Sequence, residues 1–198
     1  MPRPDVSGER RSQILDAAMA VFSRLGFHTA RMDDIAEEAG LSKGALYLYY
    51  KSKDAIIGAI LSYMFASAMK SLRELQSSEG SVRDQILSYA QLLARESERM
   101  ARLSPIAFEF YAVAGRQKVV RQHLRDYLIQ FREMLSALVR RGIEQGEFRA
   151  VNADETAYTL CALFEGLNLL LLVETQHEHW HQQVLASVGL LLDGIAAR

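Results

Sequence analysis

The chain contains one cysteine, Cys161, in 198 residues. A single thiol excludes an internal disulfide and any zinc site that needs two or more thiolates. Proline is almost as scarce. Of three prolines, two stand in the first four residues, so Pro105 alone interrupts the body of the chain. Because proline breaks helices, its scarcity permits long ones. Alternating runs of β-branched residues bounded by hairpin turns are missing as well. An all-α fold is therefore expected. Long apolar runs are also wanting: residues 169–173 make a run of five and residues 17–22 one of six, where a membrane span needs about 20. The first eleven residues are polar and charged, without the apolar stretch of a signal peptide. The expectation is a soluble, cytoplasmic protein.

Neither sign of charge dominates. Lys and Arg number 23, Asp and Glu 24, for a net charge of −1. This excludes a protein coated in basic charge for nucleic acid, but says nothing of a local patch. By segment the balance is uneven. Residues 1–31 carry +2, residues 32–42 carry −4, and residues 43–53 carry +3.

Glycines punctuate the helical pattern. Ile14, Ala17, Ala18, Val21, Phe22 and Leu25 repeat at helical spacing over residues 9–25, and Gly26 suits a C-terminal cap. A second helix is predicted over 32–39, with Asp33 and Asp34 in the first turn, where the helix dipole favours anions. Gly40 ends it. Ser42 can cap a third helix that runs to Tyr49. Lys53 opens a fourth, to about Gln76, followed by a polar loop over 76–81. Further stripes run from Val82 to Leu93, from Pro105 through Phe108 and Tyr111, and from Val120 to Leu138. Two last helices cover 153–174 and 182–197.

Two short helices joined by Ala39-Gly40-Leu41, the second placed to read, have the spacing of a helix-turn-helix. At 3.6 residues per turn, Leu46 and Tyr50 fall about 40° apart on one face of the third helix, and Gly44 and Leu48 on the opposite face. A leucine on the outer face suits contact with a thymine methyl. Gly44 allows close approach of the backbone. Lys43, Lys51 and Lys53 add charge, and Tyr47 and Tyr49 offer hydroxyls to phosphate. A solvated lysine face, or tyrosines belonging to the core, would account for the same residues more plainly.

Residues 10–57 resemble the DNA-binding domain of the TetR family of transcriptional repressors. The match is carried by Ile14-Leu15-Asp16-Ala17-Ala18, Phe22, Gly26-Phe27 and Asp34-Ile35-Ala36. It continues through Ala39-Gly40-Leu41-Ser42-Lys43-Gly44-Ala45-Leu46-Tyr47 and Tyr50-Lys51-Ser52-Lys53-Asp54. The resemblance implies that Lys43, Gly44, Leu48 and Tyr49 approach bases, and that Tyr47 and Lys53 hold phosphates. Where the family commonly has a hydroxyl before the second helix, this chain has Thr29-Ala30-Arg31. Arg31 has no acceptor with which to cap, but its guanidinium can reach a phosphate.

The implied architecture is an N-terminal three-helix DNA-binding domain, residues 1–52, joined to a larger helical ligand-binding and dimerisation domain, residues 53–198. The larger part matches the family only in size and helical pattern. A ligand pocket implied there has Met64, Ala68, Tyr89, Leu93, Met100, Phe108, Tyr111, Tyr127, Phe131, Phe164 and Asn168 as candidate lining, although such residues equally make plain core. Glu165 and Asn168 are polar within an apolar helix and require partners. The helix over 153–174 is apolar on two sides, so it should be buried on two sides. The family implies a homodimer through a four-helix bundle, for which Cys161, Leu169, Leu172, Val184, Val188, Leu191 and Ile195 are candidates.

His177, His179 and His181 gather three of five histidines. The spacing of His177 and His181 permits metal ligation, but no further ligand set accompanies them, so a solvated segment serves as well. No nucleophile elbow, P-loop or dinucleotide fingerprint is present. The function expected is a ligand-responsive repressor that binds a palindromic operator as a homodimer and is released by a small, largely apolar effector. No enzyme activity, cofactor or metal is expected. A helical binding protein without DNA binding is the alternative.

Overall fold

The computed structural model describes residues 6–99, 104–173 and 179–197. These form helices α1 (Val6–Thr29), α2 (Met32–Glu38), α3 (Lys43–Tyr49), α4 (Lys53–Gln76), α5 (Val82–Arg99), α6 (Ser104–Ala114), α7 (Lys118–Glu144), α8 (Ala153–Val173) and α9 (Trp180–Ile195). No strand occurs among the described residues; one antiparallel bridge pairs Phe148 with Ala196. No single helix among them is long and apolar enough to cross a membrane.

The chain divides into two compact units. One comprises residues up to 64 together with 105–124, and the other 65–104 together with the chain from 125 on. The units thus do not follow the linear order: α6 and the first turns of α7 belong with the helix-turn-helix.

In the first unit the periodic residues of α1 pack as their spacing predicts, except Leu25, which lies just before the break at Gly26 and is exposed. Ile14, Ala18, Val21 and Phe22 are buried with Ile35 and Ala36 of α2, Leu46 of α3, and Ile56, Ile57 and Ile60 of α4. Gly26 breaks α1 with φ 71° and ψ 157°, and helical hydrogen bonding resumes for one further turn. Phe27, redirected by that break, is buried edge-on against Phe22 at 5.4 Å. The α2–α3 turn is a Schellman cap. Gly40 takes φ 64°, its N–H donates to Glu37 O at 3.0 Å, and Leu41 N–H donates to Ala36 O at 2.8 Å. Gln13 of α1 donates to Ala39 O at 2.7 Å, which ties the turn to α1.

The second unit is built on the rings of Tyr89, Phe131 and Phe164, which meet at 5.9–6.1 Å, with Leu72, Ile86, Leu135, Leu160, Val188 and Leu192 buried around them. Its polar clasp lies at the α4–α5 loop. Arg141 of α7 donates to the carbonyls of Gln76 (2.8 Å) and Ser78 (3.3 Å), and to Gln85 Oε1. Glu147 accepts from Val82 N–H (2.8 Å), Arg83 N–H (3.1 Å) and the Ser81 hydroxyl (2.8 Å). A cation therefore sits on the carbonyl end of α4 and an anion on the amide end of α5, as the helix dipoles favour. Burial opposes the charge of Glu147, but the amides of Val82 and Arg83, the Ser81 hydroxyl and nearby Arg141 outweigh it and hold the carboxyl below its ordinary range.

Candidate nucleic-acid interface

Helix α3 is seven residues long, and its two faces differ sharply. Leu46 is fully buried and Tyr50 nearly so, whereas Leu48 is 76% exposed. Ser42 caps the helix, its Oγ accepting from Ala45 N–H at 3.2 Å. Lys43 and Gly44 are exposed, and Tyr47 and Tyr49 are half-buried.

Each of the three lysines has an intramolecular partner. Lys43 pairs with Asp33 of α2 at 2.8 Å, and that hydrogen bond raises its pKa. Lys51 donates to Tyr47 O at 2.8 Å and so caps α3. Lys53 departs furthest from the phosphate role implied by resemblance. Its ammonium donates to Phe27 O at 2.5 Å and Ala30 O at 2.8 Å, and lies 4.4 Å from the centre of the Phe27 ring. Burial lowers its pKa, against the opposing influence of Asp54 and Glu109. It closes the carbonyl end of α1 rather than standing open to solvent.

Arg31 precedes α2 and is exposed. Lacking an acceptor, it supplies no side-chain cap, and only the return half of a capping box forms: Asp34 Oδ2 accepts from Arg31 N–H at 2.7 Å. A basic residue absent from the sequence-level set joins this region. The Arg11 guanidinium stands 6.0 Å from the Tyr49 ring and 5.7 Å from the Tyr50 ring. Nothing local in the sequence signals a pairing across that separation.

The candidate ligand residues do not form one group. Met64, Phe108 and Tyr111 lie in the first unit, and Ala68, Tyr89, Leu93, Tyr127, Phe131, Phe164 and Asn168 in the second. Met100 lies outside the described residues. Tyr89, Phe131 and Phe164 fill one another's space as core. Tyr89 donates to Ala68 O at 3.4 Å, and burial followed by Glu165 and Cys161 raises its pKa. Asn168 donates to Phe164 O at 3.0 Å, one turn back in its own helix. Phe65, not among the candidates, stacks on Tyr127 at 3.6 Å. An open groove of about 620 Å³ lies along α1 and α2, and another of about 610 Å³ along α5 and α9. Neither is lined by a candidate ligand residue.

The subunit-interface candidates need correction. Cys161, Val184, Val188 and Ile195 are buried in their own chain's core, where no partner can reach them. Leu191 is half-buried, Leu169 is exposed, and the side chain of Leu172 lies outside the described set. Among the described residues of α8 and α9, the large apolar side chains left open are Tyr158, Leu169, Leu170 and Val173 of α8 and Leu190 of α9. Burial, followed by Glu165, pushes the Cys161 thiol up to about 11, against nearby Arg132, which suits an inert core residue. His177 lies outside the described residues, His179 is exposed just before α9, and His181 is half-buried. Among the described residues no three His, Cys, Asp or Glu side chains gather to hold a metal.

Comparison with known proteins accounts for this arrangement. Residues 14–60 match the family model of bacterial regulatory proteins of the tetR family, and residues 82–196 match that of the BetI-type transcriptional repressor C-terminal domain. The chain is 33% identical over 161 residues to the HTH-type transcriptional regulator YfiR of Bacillus subtilis, covering 81% of this chain and 77% of that one. It is 27% identical over 162 residues to the HTH-type transcriptional repressor KstR2 of Rhodococcus jostii, covering 79% and 78%. The solved structure of FadR from Bacillus subtilis in complex with stearoyl-CoA superposes with a TM-score of 0.77 at 20% identity, over 93% of this chain and 98% of that one. With the tetR-family model matching residues 14–60, the repressor C-terminal model matching residues 82–196 and a regulator 33% identical over 81% of the chain, the chain belongs to the TetR family of bacterial transcriptional regulators.

Proposed function

We propose that this chain is a ligand-responsive repressor that binds a palindromic operator as a homodimer and is released by a largely apolar effector. Residues 1–52 read DNA, and residues 53–198 bind effector and dimerise. The exposure of Leu48 carries the reading. A leucine 76% open to water, on a helix whose opposite face is sealed by Leu46 and Tyr50, fits a thymine methyl in the major groove. Lys43, Gly44, Tyr47 and Tyr49 flank that contact, and Arg31 supplies a phosphate contact. Arg11 is added because it stands beside Tyr49.

The dimer is assigned to the open apolar side chains of α8 and α9, since large apolar residues left exposed on neighbouring helices suit an interaction site. Two reading heads related by a two-fold axis then meet half-sites about one helical turn apart. The effector is apolar because the second unit holds stacked rings and few buried charges. Phe65 and Tyr127, both half-buried, are its accessible edge.

The test is a titration of the full chain against duplexes that it selects from a random pool, over a salt series. Selected duplexes are expected to bind at least a thousandfold tighter than random ones. Equal affinity for both overturns the repressor reading. Stearoyl-CoA, the ligand of one neighbour of the same fold, is the first effector probe. Operator release at micromolar concentration supports an acyl effector, and unaltered binding by stearoyl-CoA and by a panel of other apolar compounds counts against an effector of this class.

A further inference from the structure

We propose that Glu109 of α6 is a positioning residue for DNA reading, acting through the backbone amide of Phe27. Glu109 Oε1 accepts from Phe27 N–H at 2.6 Å, across 82 positions of sequence. The bond exists because Gly26 leaves helical geometry, with φ 71°, and turns the next amide away from α1. At such a break the amide needs a new partner, and a carboxylate is a strong one. The other side of the same residue is held by the opposite charge: Phe27 O accepts from Lys53 Nζ at 2.5 Å. Phe27 is thus clamped between an anion from α6 and a cation from the start of α4, with its ring buried against Phe22.

The clamp sits where the reading head joins α4. Residue 27 closes α1, α2 begins at Met32, and Lys53 begins α4. Apolar contacts alone tolerate sliding, whereas a charge-assisted bond to one amide fixes register and orientation. A second observation places the same 105–124 segment against the start of α4, beside that joint. A Cβ on Gly58 of α4 would meet His123 Nε2 of α7 at 2.7 Å, so the imidazole lies directly on the α4 backbone. Both α4 and α7 continue from this compact unit into the other. A head clamped through Phe27 to Glu109 of α6 and Lys53 of α4 is held at the start of a helix that leads out of its unit, and His123 of α7 packs on that same helix. Losing Glu109 then mis-sets the head without damaging α3 itself.

This proposal rests on the repressor reading above, and two measurements on the full chain separate the two. In the first, Glu109→Ala is titrated against the operator selected by the wild-type chain and against a duplex bearing one half-site. Full-operator affinity is expected to fall at least tenfold, half-site affinity to stay within threefold, and Glu109→Gln, which keeps an acceptor of the same shape, to recover part of the loss. An unchanged full operator overturns the proposal. So does an equal loss on both duplexes, which a merely structural role would give. The second measurement is hydrogen exchange without DNA. Amides of residues 26–31 are expected to exchange at least tenfold faster in Glu109→Ala, with residues 82–99 unaffected. Unaltered exchange at 26–31 overturns the clamp whatever the DNA result. A wild-type chain that selects no duplex sinks the repressor reading and the reading role of Glu109 with it.

Discussion

Helices α3 and α8 present the same problem to opposite effect. Both bury one face, and both leave leucines in water: Leu48 on α3, Leu169 and Leu170 on α8. In α3 the apolar positions are few and phase uniquely, so the outer leucine stands out as one that the fold does not need. In α8, Ala157, Leu160, Cys161, Phe164, Leu167 and Leu171 are buried while Tyr158, Leu169, Leu170 and Val173 are open. Apolar residues occupy both sides, and spacing cannot say which side meets the chain's own core. An exposed apolar residue carries functional information only where the periodicity of its helix has already assigned the core.

The largest expected effect sharpens the contrast on α9. Leu192 is fully buried and Leu190 is 77% exposed, two residues away. Leu192→Ala should destabilise the fold by about 2–5 kcal/mol, as large-to-small core changes do. Leu190→Ala should leave the melting temperature of the subunit nearly unaltered and weaken self-association, measured by analytical ultracentrifugation. Equal stability losses at the two positions would erase the distinction between core face and partner face.

The same comparison on α3 separates stability from reading. Leu46→Ala is expected to cost about 2–5 kcal/mol by denaturant unfolding. Leu48→Ala is expected to stay within about 0.5 kcal/mol of wild type, while changing preference at particular base pairs of the selected operator. A uniform loss across all sequences would show that Leu48 supports the helix and does not touch bases.

Glu147 should act on stability alone. Glu147→Gln removes the charge from the amide end of α5 and is expected to cost about 1 kcal/mol at neutral pH. Its folded-state pKa is lowered, so its stabilisation is complete above the ordinary carboxylate range and is lost as pH falls through the lowered value. The gap in melting temperature between wild type and Glu147→Gln should therefore narrow below about pH 4. A gap that is constant down to pH 3 would place the effect in packing instead of charge.

Much of the first unit was legible because its signals are local. Gly26 and Gly40 do take positive φ, Ser42 does cap α3, and Leu46 and Leu48 do part company as a 3.6-residue period requires. The rest depended on contacts that no local pattern records. Lys53 reads as an open cation beside a recognition helix, yet three-dimensional proximity gives it the Phe27 and Ala30 carbonyls. Arg11 carries no local signal in the sequence, yet it stands over Tyr49. On α9 the most regular stripe, Val184, Val188 and Ile195, proved to be core, and the less regular Leu190 remained open. Regular spacing marks the face that a helix packs first, so a second interface is written in the residues left over.

The smallest expected effect concerns how Asp33, in the first turn of α2, weighs on the lysine that opens α3. Asp33 pairs with Lys43 at 2.8 Å, and both side chains are more than half exposed. Such a pair does little for stability, but it offsets a positive charge at the surface offered to DNA. Asp33 also contributes to the −4 carried by residues 32–42, directly before the +3 of residues 43–53. Asp33→Asn should therefore raise affinity for random duplex a few-fold, and steepen its salt dependence by about 0.9 in the logarithmic slope for each additional phosphate neutralised. Binding to the selected operator should gain less if, as proposed, Lys43 is directed at a base there and Leu48 discriminates. The ratio of selected to random affinity is then expected to fall, so that Asp33 favours specificity by holding back a charge that would otherwise bind any DNA. An unaltered salt slope would mean that Lys43 exchanges Asp33 for phosphate without cost, and that the charge balance of this region leaves discrimination to Leu48 and its neighbours.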